Sequence, residues 1–247
     1  MTLKADVSRP VRPLPELLDA LRGHGLRRGV EPGPMAPNRP PLPTGQPPLD
    51  AALGTGGWPR GALALLDAPV GGGATSLALG TLAACQAAGG VVAYLDTARS
   101  LDPATASRLG VNLEWLLVVR PADAAEALEL AGWLAREGRI DALVLDLAGA
   151  GLPRGLSRGL SRGLDRLAGL LVRSGGVALL LAGAGAEAAG SVASVRVALQ
   201  RRAWLAVGSD LVGQRVEATV TRHRWALAGG SAELDLYFAE GRRVDVL

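Results

Sequence analysis

The fold of this chain is constrained above all by a glycine-rich segment. It lies between an apolar run and a run rich in alanine and leucine. The apolar run at 62–66 is typical of a buried strand, and the run at 76–88 is typical of a helix. Between them, residues 67–76 have the sequence DAPVGGGATS. This order of strand, loop and helix is the context of the phosphate-binding loop pattern G-x-x-x-x-G-K-[ST]. The sequence therefore predicts an α/β core built around such a loop.

The loop keeps most of that pattern and lacks its cation. Gly71, Gly72 and Gly73 offer backbone N–H groups to an anion at the start of a helix. Thr75 keeps the hydroxyl that contacts magnesium in such loops. The lysine position is Ala74, so no ammonium group of the loop neutralises the β- and γ-phosphates. We therefore expect no cofactor beyond weak binding of ATP and magnesium, and no efficient phosphoryl transfer.

Alternating apolar and helical runs predict a mostly parallel sheet. Strands are expected at 62–66, 91–95, 115–119, 142–147 and 177–182. Helices are expected at 76–88, 102–109, 123–137 and 156–173. Runs near 194–207, 215–222 and 232–238 predict antiparallel strands at the C-terminal edge.

The flanking motifs resemble the core of the RecA recombinase over about 49–244. The segment 49–61, LDAALGTGGWPRG, is similar to the family's L-D-x-A-L-G-x-G-G-x-P-x-G. The segments 94–103, YLDTARSLDP, and 108–112, RLGVN, are similar to F-I-D-A-E-H-A-L-D-P and K-L-G-V-D, in the same order. The resemblance implies an α/β fold with a RecA-like P-loop core and a mostly parallel sheet.

The resemblance also assigns roles to single positions. The family's glutamate that orients the attacking water falls on Ala98, and its magnesium-binding aspartate falls on Asp146. Two lysines that reach a neighbouring subunit's nucleotide fall on Arg222 and Arg224, where arginine keeps the charge and changes the geometry. Both arginines are therefore candidate DNA or partner contacts. With alanine at both catalytic positions, 74 and 98, the resemblance predicts a pseudo-ATPase without catalytic residues.

The chain is expected to begin with a helical arm at 1–28 and a linker at 29–48, ahead of the core at 49–247. Four leucines of the arm follow helical spacing and form one apolar face: Leu14, Leu17, Leu18 and Leu21. The linker is rich in proline and is expected to be extended. In RecA the corresponding arm packs on the next protomer, so this arm is expected either to dock on a RecA-like partner or to fold back on its own core.

A four-residue repeat over 154–166, RGLSRGLSRGLDR, is a second candidate surface. In a helix it aligns four arginines as candidate DNA or partner contacts: Arg154, Arg158, Arg162 and Arg166. Its leucines form another face, so the alternative is a solvated basic face above a leucine core. The match to RecA's second DNA loop, 182–190, has no basic residue, which argues against RecA-style strand exchange.

Charge and composition limit the remaining classes. Residues 1–48 carry seven basic and four acidic side chains, which accounts for the net charge of +3. The core is therefore neutral, and nucleic-acid contact must come from local clusters. The lone Cys85 is expected to be buried, and His24 and His223 form no metal-ligand pattern. No apolar run reaches the roughly 18 residues of a spanning helix, so we expect no membrane contact. The first residues lack the layout of a secretory signal and Cys85 has no disulfide partner, so we expect a cytoplasmic protein.

The chain resembles the ImuA family in three respects. It combines a RecA core with an N-terminal arm, it has alanine at both catalytic positions, and it is expected to lack RecA's C-terminal domain. Members of that family are accessory proteins of bacterial mutagenesis cassettes, encoded with an inactive Y-family polymerase homologue. The resemblance implies a role in SOS mutagenesis and translesion synthesis. It names RecA and the polymerase homologue as partners, with DNA as a further candidate. A working ATPase of the RecA/KaiC type and a SulA-like inhibitor of cell division are the alternatives.

Overall fold

The computed structural model of the chain describes residues 39–148, 158–183 and 189–238. Within them one sheet contains eight strands: β1 (Leu63–Asp67), β2 (Val92–Asp96), β3 (Leu116–Val119), β4 (Ala142–Asp146), β5 (Val177–Leu181), β6 (Val195–Val207), β7 (Asp210–His223) and β8 (Ser231–Tyr237). Their order is β3-β2-β4-β5-β1-β6-β7-β8. The pairings from β3 through β6 are parallel, whereas β7 runs antiparallel to both β6 and β8. The predicted mixed α/β fold, mostly parallel with antiparallel strands at the C-terminal edge, is confirmed.

The same residues form five α-helices: α1 (Pro47–Ala52), α2 (Ala74–Ala87), α3 (Pro103–Arg108), α4 (Ala124–Glu137) and α5 (Arg158–Ser174). The side chains of Asp102 and Asp123 accept backbone N–H groups in the first turns of α3 and α4. At the end of α4, Gly138 adopts the left-handed conformation with φ 67°, which favours glycine. These local signals explain why the predicted and observed bounds of α3 and α4 nearly coincide.

The central strands are covered by apolar layers on both faces. Because successive side chains of a strand point to opposite faces, Leu63 and Leu65 of β1 pack in one layer, together with α4 and α5. Ala64 and Leu66 pack in the other layer, which contains the apolar side of α2. Strands that are buried on both sides have the near-continuous apolar sequences seen here. The result is a rigid sheet that holds the glycine-rich loop at the carboxyl end of β1.

Residues 39–48, at the end of the predicted linker, pack against the core. Leu42 is 1% exposed, and its backbone exchanges hydrogen bonds of 2.9 and 2.7 Å with Trp58. A helix follows directly, since α1 begins at Pro47, where the missing N–H of proline costs no helical hydrogen bond. Proline density therefore did not exclude ordered packing over 39–48. The arm at 1–28 and its leucines Leu14, Leu17, Leu18 and Leu21 lie outside the described residues.

The strands β6 and β7 form a hairpin that is longer than the sequence indicated. Pairing between β6 and β1 ends at Ala198, while pairing with β7 continues to Val207. Most side chains over 200–211 are exposed, so this part shows no apolar alternation. The strand expected at 215–222 therefore begins earlier, at Asp210. The strand expected at 194–207 is also parallel to β1, and only its contact with β7 is antiparallel.

Candidate functional site

The glycine-rich loop connects β1 to α2 with the backbone of a tight turn. Gly71 and Gly73 have φ values of 71° and 92°, in the left-handed region that favours glycine. The Gly72 N–H donates to the Pro69 carbonyl at 2.8 Å. Gly73 is the N-cap of α2, and no side chain caps the first N–H groups of this helix. The loop therefore presents a helix N-terminus, with Thr75 exposed in its first turn.

The strands β7 and β8 pack closely against this loop. A Cβ atom at position 73 would lie 2.5 Å from Leu236 Cδ1 and 3.1 Å from Gln214 Nε2. Gln214 is 2% exposed, and its Oε1 has no hydrogen-bond partner among the described residues. The positive φ of position 73 favours glycine, and any larger residue there would also have to displace the side chain of Leu236.

Two arginines of β6 contact the loop, and sequence analysis did not identify either. Arg196 pairs with Asp67 at the end of β1, with Nε 3.1 Å from Asp67 Oδ2. Arg201 Nη1 lies 3.5 Å from the Gly71 carbonyl oxygen, and its guanidinium lies 4.2 Å from the centre of the Trp204 ring. The guanidinium group of Arg201 therefore lies beside the loop. It comes from a strand about 130 residues away in sequence, where no local pattern could reveal it.

The aspartate in the magnesium position is buried and already hydrogen-bonded. Asp146 is 3% exposed, and its Oδ2 accepts a 2.8 Å hydrogen bond from the Tyr94 hydroxyl. Its Oδ1 accepts the Ala148 N–H at 3.0 Å. Burial, and next the negative charge of Asp146, raise the pKa of Tyr94 above its ordinary value, so the phenol stays protonated and donates. Both oxygens of Asp146 thus have internal donors.

The position of the water-orienting glutamate follows β2, next to this aspartate. Asp96, the last residue of β2, is in register with Asp146 of β4. It is fully buried and accepts N–H groups from Ser100 and Leu101 at 2.8 and 3.3 Å. Ala98 is half-buried and offers only a methyl group. Positions 74, 98 and 146 therefore lie at or just after the carboxyl ends of β1, β2 and β4, at the same edge of the sheet. Asp146 supplies a carboxylate there, and the two alanines supply only methyl groups.

The arginine repeat forms a helix where the structure describes it. Arg154 lies outside the described residues, and Arg158 is the first residue of α5. Arg162 and Arg166 are exposed. On the opposite side, Leu164 and Leu167 are 1% and 0% exposed within the core. The buried leucine face is confirmed at Leu164 and Leu167, and Arg162 and Arg166 point away from the core.

Arg222 and Arg224 lie away from the glycine-rich loop of the same chain. Arg222 Nη1 donates to the carbonyl oxygens of Gly190 and Ser191 at 2.8 and 2.9 Å. The Arg224 backbone donates to Ser194, which in turn donates to Leu63 at the start of β1. Arg224 therefore lies at the end of β1 opposite to the loop. The neighbouring Trp225 is 6% exposed and packs in the core rather than offering a stacking face.

Other candidate chemistry is absent from the part of the chain that the structure describes. Cys85 is 1% exposed, and burial, followed by the charge of Asp141, raises its thiol pKa to about 11, which confirms a core thiol. Among the described residues no cluster of three His, Cys, Asp or Glu side chains is placed to hold a metal ion. None of the described helices is long and apolar enough to cross a membrane.

Comparisons with known proteins agree with the fold. The RecA N-terminal domain family matches residues 38–173. RecA of Bifidobacterium breve is 33% identical over 89% of this chain and 62% of its own length, and RecA of Thermus thermophilus is 34% identical over 81% and 67%. The chain thus spans about three fifths of the first of these relatives. The crystal structure of the RadB recombinase aligns with a TM-score of 0.61 and 23% identity, covering 78% of this chain and 95% of that one, which is a likeness of fold. By its matching domain and by these relatives, the chain belongs to the RecA family.

Proposed function

We propose that this chain is a non-catalytic member of the RecA family that assists DNA damage tolerance through protein partners. Ala74 carries the proposal, because it occupies the lysine position of a loop that keeps its glycines and Thr75. In hydrolysing P-loops the lysine ammonium neutralises charge on the transferred phosphate. Loss of a single preorganised stabilising group of this kind lowers a rate by about 10²- to 10³-fold.

The surroundings of the loop support loss of hydrolysis. Ala98 has no group to orient water. Asp146 already accepts hydrogen bonds from the Tyr94 hydroxyl and the Ala148 N–H. Arg201 brings a positive charge, but its guanidinium contacts the Gly71 carbonyl, and its planar fork differs from a point-like ammonium. The residues present fit anion binding by backbone N–H groups and do not fit a catalytic ATP and magnesium site.

The outer edge of the sheet supports binding of a protein partner. Among the described strands, β3 pairs only with β2, so its other edge carries unpaired backbone groups. Next to that edge, Trp115 is 74% exposed, and Leu117 and Val118 are 44% and 38% exposed. An open strand edge with apolar side chains is a template for strand addition by another chain. This edge is our candidate contact surface for a RecA-like partner.

At the finer level, we propose that the chain is an ImuA-type accessory protein of SOS mutagenesis and translesion synthesis. Its proposed partners are RecA and the inactive Y-family polymerase homologue of the cassette, with DNA as a further partner. The arm at 1–28 is proposed to dock on RecA. The RecA-like core, the predicted N-terminal arm and alanine at positions 74 and 98 are the features that resemble the ImuA family and support this assignment.

A genetic experiment separates this proposal from its alternatives. Deleting the gene should lower the frequency of mutations induced by ultraviolet light and leave cell length unchanged. The wild-type chain and its Asp146→Asn variant should restore mutagenesis equally, because the proposed role needs no hydrolysis. Restoration that requires Asp146 would favour a working ATPase, and filamentous cells on overproduction would favour the division inhibitor.

A further inference from the structure

A groove of about 560 Å³ lies between α4 and α5. Its polar wall contains Arg136 at the end of α4, and Arg162 and Arg166 on α5. Glu129 of α4 completes this wall. The groove therefore joins the exposed arginine face of the repeat to a second helix that the repeat itself does not indicate.

The groove is positively charged, and its charges have no internal partners in the part of the chain that the structure describes. Arg136, Arg162 and Arg166 are all exposed. None of them takes part in an ion pair or hydrogen bond within the described ranges. Against these three positive charges the lining contributes one carboxylate, that of Glu129. Guanidinium groups recognise carboxylates through planar, bidentate hydrogen bonds, so this wall is suited to acidic side chains.

The rest of the groove is apolar. Trp133 is 58% exposed, which is unusual for a large aromatic side chain without a covering partner. Leu128 and Leu160 line the groove beside it. Glycine allows the helices to approach, since a Cβ atom on Gly163 would lie 2.9 Å from Leu128 Cδ1. Tryptophan and arginine are the residues that most often dominate binding energy at protein interfaces.

We propose that this groove binds an acidic segment of a partner protein, with one large apolar side chain held against Trp133 and carboxylates paired with Arg136, Arg162 and Arg166. The inference names the chemistry of a partner and so rests on the proposal that the chain acts through partners. It commits to a protein because the groove sets one aromatic face and an apolar lining beside its arginines, whereas single-stranded nucleic acid is held by successive stacked bases. The chain's own first 48 residues, with a net charge of +3, do not complement the groove.

The test uses the full-length protein and three probes. The first is a fluorescein-labelled peptide of about 16 residues, roughly four helical turns, with Glu and Asp on one face and a Leu/Phe pair on the other. The second has Gln and Asn in place of the acids, and the third is a labelled oligo(dT) of similar length. Fluorescence anisotropy should detect binding of the acidic peptide that weakens with salt. The neutral peptide should bind at least about tenfold more weakly.

Substitutions assign the binding to the groove. The double variant R162Q/R166Q and the variant Trp133→Ala should each weaken binding of the acidic peptide about tenfold or more. The matched control is Arg173→Gln, since Arg173 is exposed on the same helix and does not line the groove. This variant should bind within about twofold of the wild type. Unchanged circular dichroism and unfolding midpoints confirm that the variants are folded.

Four results would overturn the inference. The first is absence of binding to the acidic peptide, and the second is a loss of peptide affinity in Arg173→Gln equal to that in the groove variants. The third is tighter binding of oligo(dT) that disappears in R162Q/R166Q, which would make the surface a nucleic-acid site. The fourth is an increase in peptide affinity on deleting residues 1–28, which would make the chain's own arm the occupant. Peptide binding is measured without nucleotide or living cells, so its failure is distinguishable from failure of the proposed function.

Discussion

Substituting Tyr94 by Phe tests how tightly the magnesium-position aspartate is held. The Tyr94 side chain is fully buried, and its hydroxyl donates a 2.8 Å hydrogen bond to Asp146. The family motif that this segment resembles has Phe at the same position, so the ring fits the space. The substitution therefore removes one hydroxyl and leaves the packing of the ring in place.

The expected cost follows from the charge and the burial of the acceptor. A hydrogen bond to a charged group contributes about 1.5–3 kcal/mol. Asp146 is 3% exposed, so water cannot readily replace the lost donor. We expect Tyr94→Phe to lower the free energy of unfolding by about 2 kcal/mol. In an Asp146→Asn background the acceptor is neutral, and the same substitution should cost about 1 kcal/mol.

Urea unfolding of the four proteins of this cycle, followed by far-ultraviolet circular dichroism at about pH 7, measures both costs. Tyr237→Phe is the control, because Tyr237 is the other tyrosine of the chain and its hydroxyl makes no hydrogen bond within the described residues. This control should lie within about 0.5 kcal/mol of the wild type. A Tyr94→Phe protein as stable as the wild type, or an equal cost in both backgrounds, would show that this hydrogen bond to a charged Asp146 does not stabilise the fold.

Three further predictions concern packing, pH and the arm. Gly169→Ala should stabilise α5 by about 1 kcal/mol. Gly163→Ala should give no such stabilisation, because its new Cβ atom would lie 2.9 Å from Leu128 Cδ1. Equal rises in the thermal unfolding midpoint for the two variants would contradict this prediction. Burial lowers the pKa of His223 from its ordinary value of 6.5, so the folded state binds the proton less readily and stability is lost as pH falls below about 6.5. His223→Asn should flatten this loss in urea titrations, whose slope cannot exceed about 1.4 kcal/mol per pH unit for one group. Deleting residues 1–28 should abolish pull-down of RecA without lowering the unfolding midpoint, and a lower midpoint would favour an arm that folds back on the core.

The order of the elements could be predicted because each central strand and helix has its own local pattern. The strands β1, β2, β4 and β5 are buried on both faces, so each is a short apolar run between helical segments. The glycine-rich loop was equally visible, since its glycines are required where φ is positive. The bounds predicted for α3 and α4 were accurate because aspartates begin these helices.

Contacts made between distant segments could not be predicted in this way. Arg201 reaches the loop through the pairing of a long hairpin whose exposed half lacks alternation. The Tyr94 hydroxyl meets Asp146 only because β2 and β4 are neighbours in register. The segment 39–48 was expected to be extended, because its prolines are visible in sequence and the burial of Leu42 against Trp58 is not. These features depend on tertiary packing.

The proposed pseudo-ATPase should show no ATP turnover above background. Phosphate release by the purified full-length protein should be followed with ATP and magnesium, with and without single-stranded DNA, beside its Asp146→Asn variant. Both proteins should release phosphate at equal background rates, because Ala74 and Ala98 supply neither the cation nor the water-orienting acid. Turnover by the wild type that the Asp146→Asn substitution abolishes would contradict the proposal.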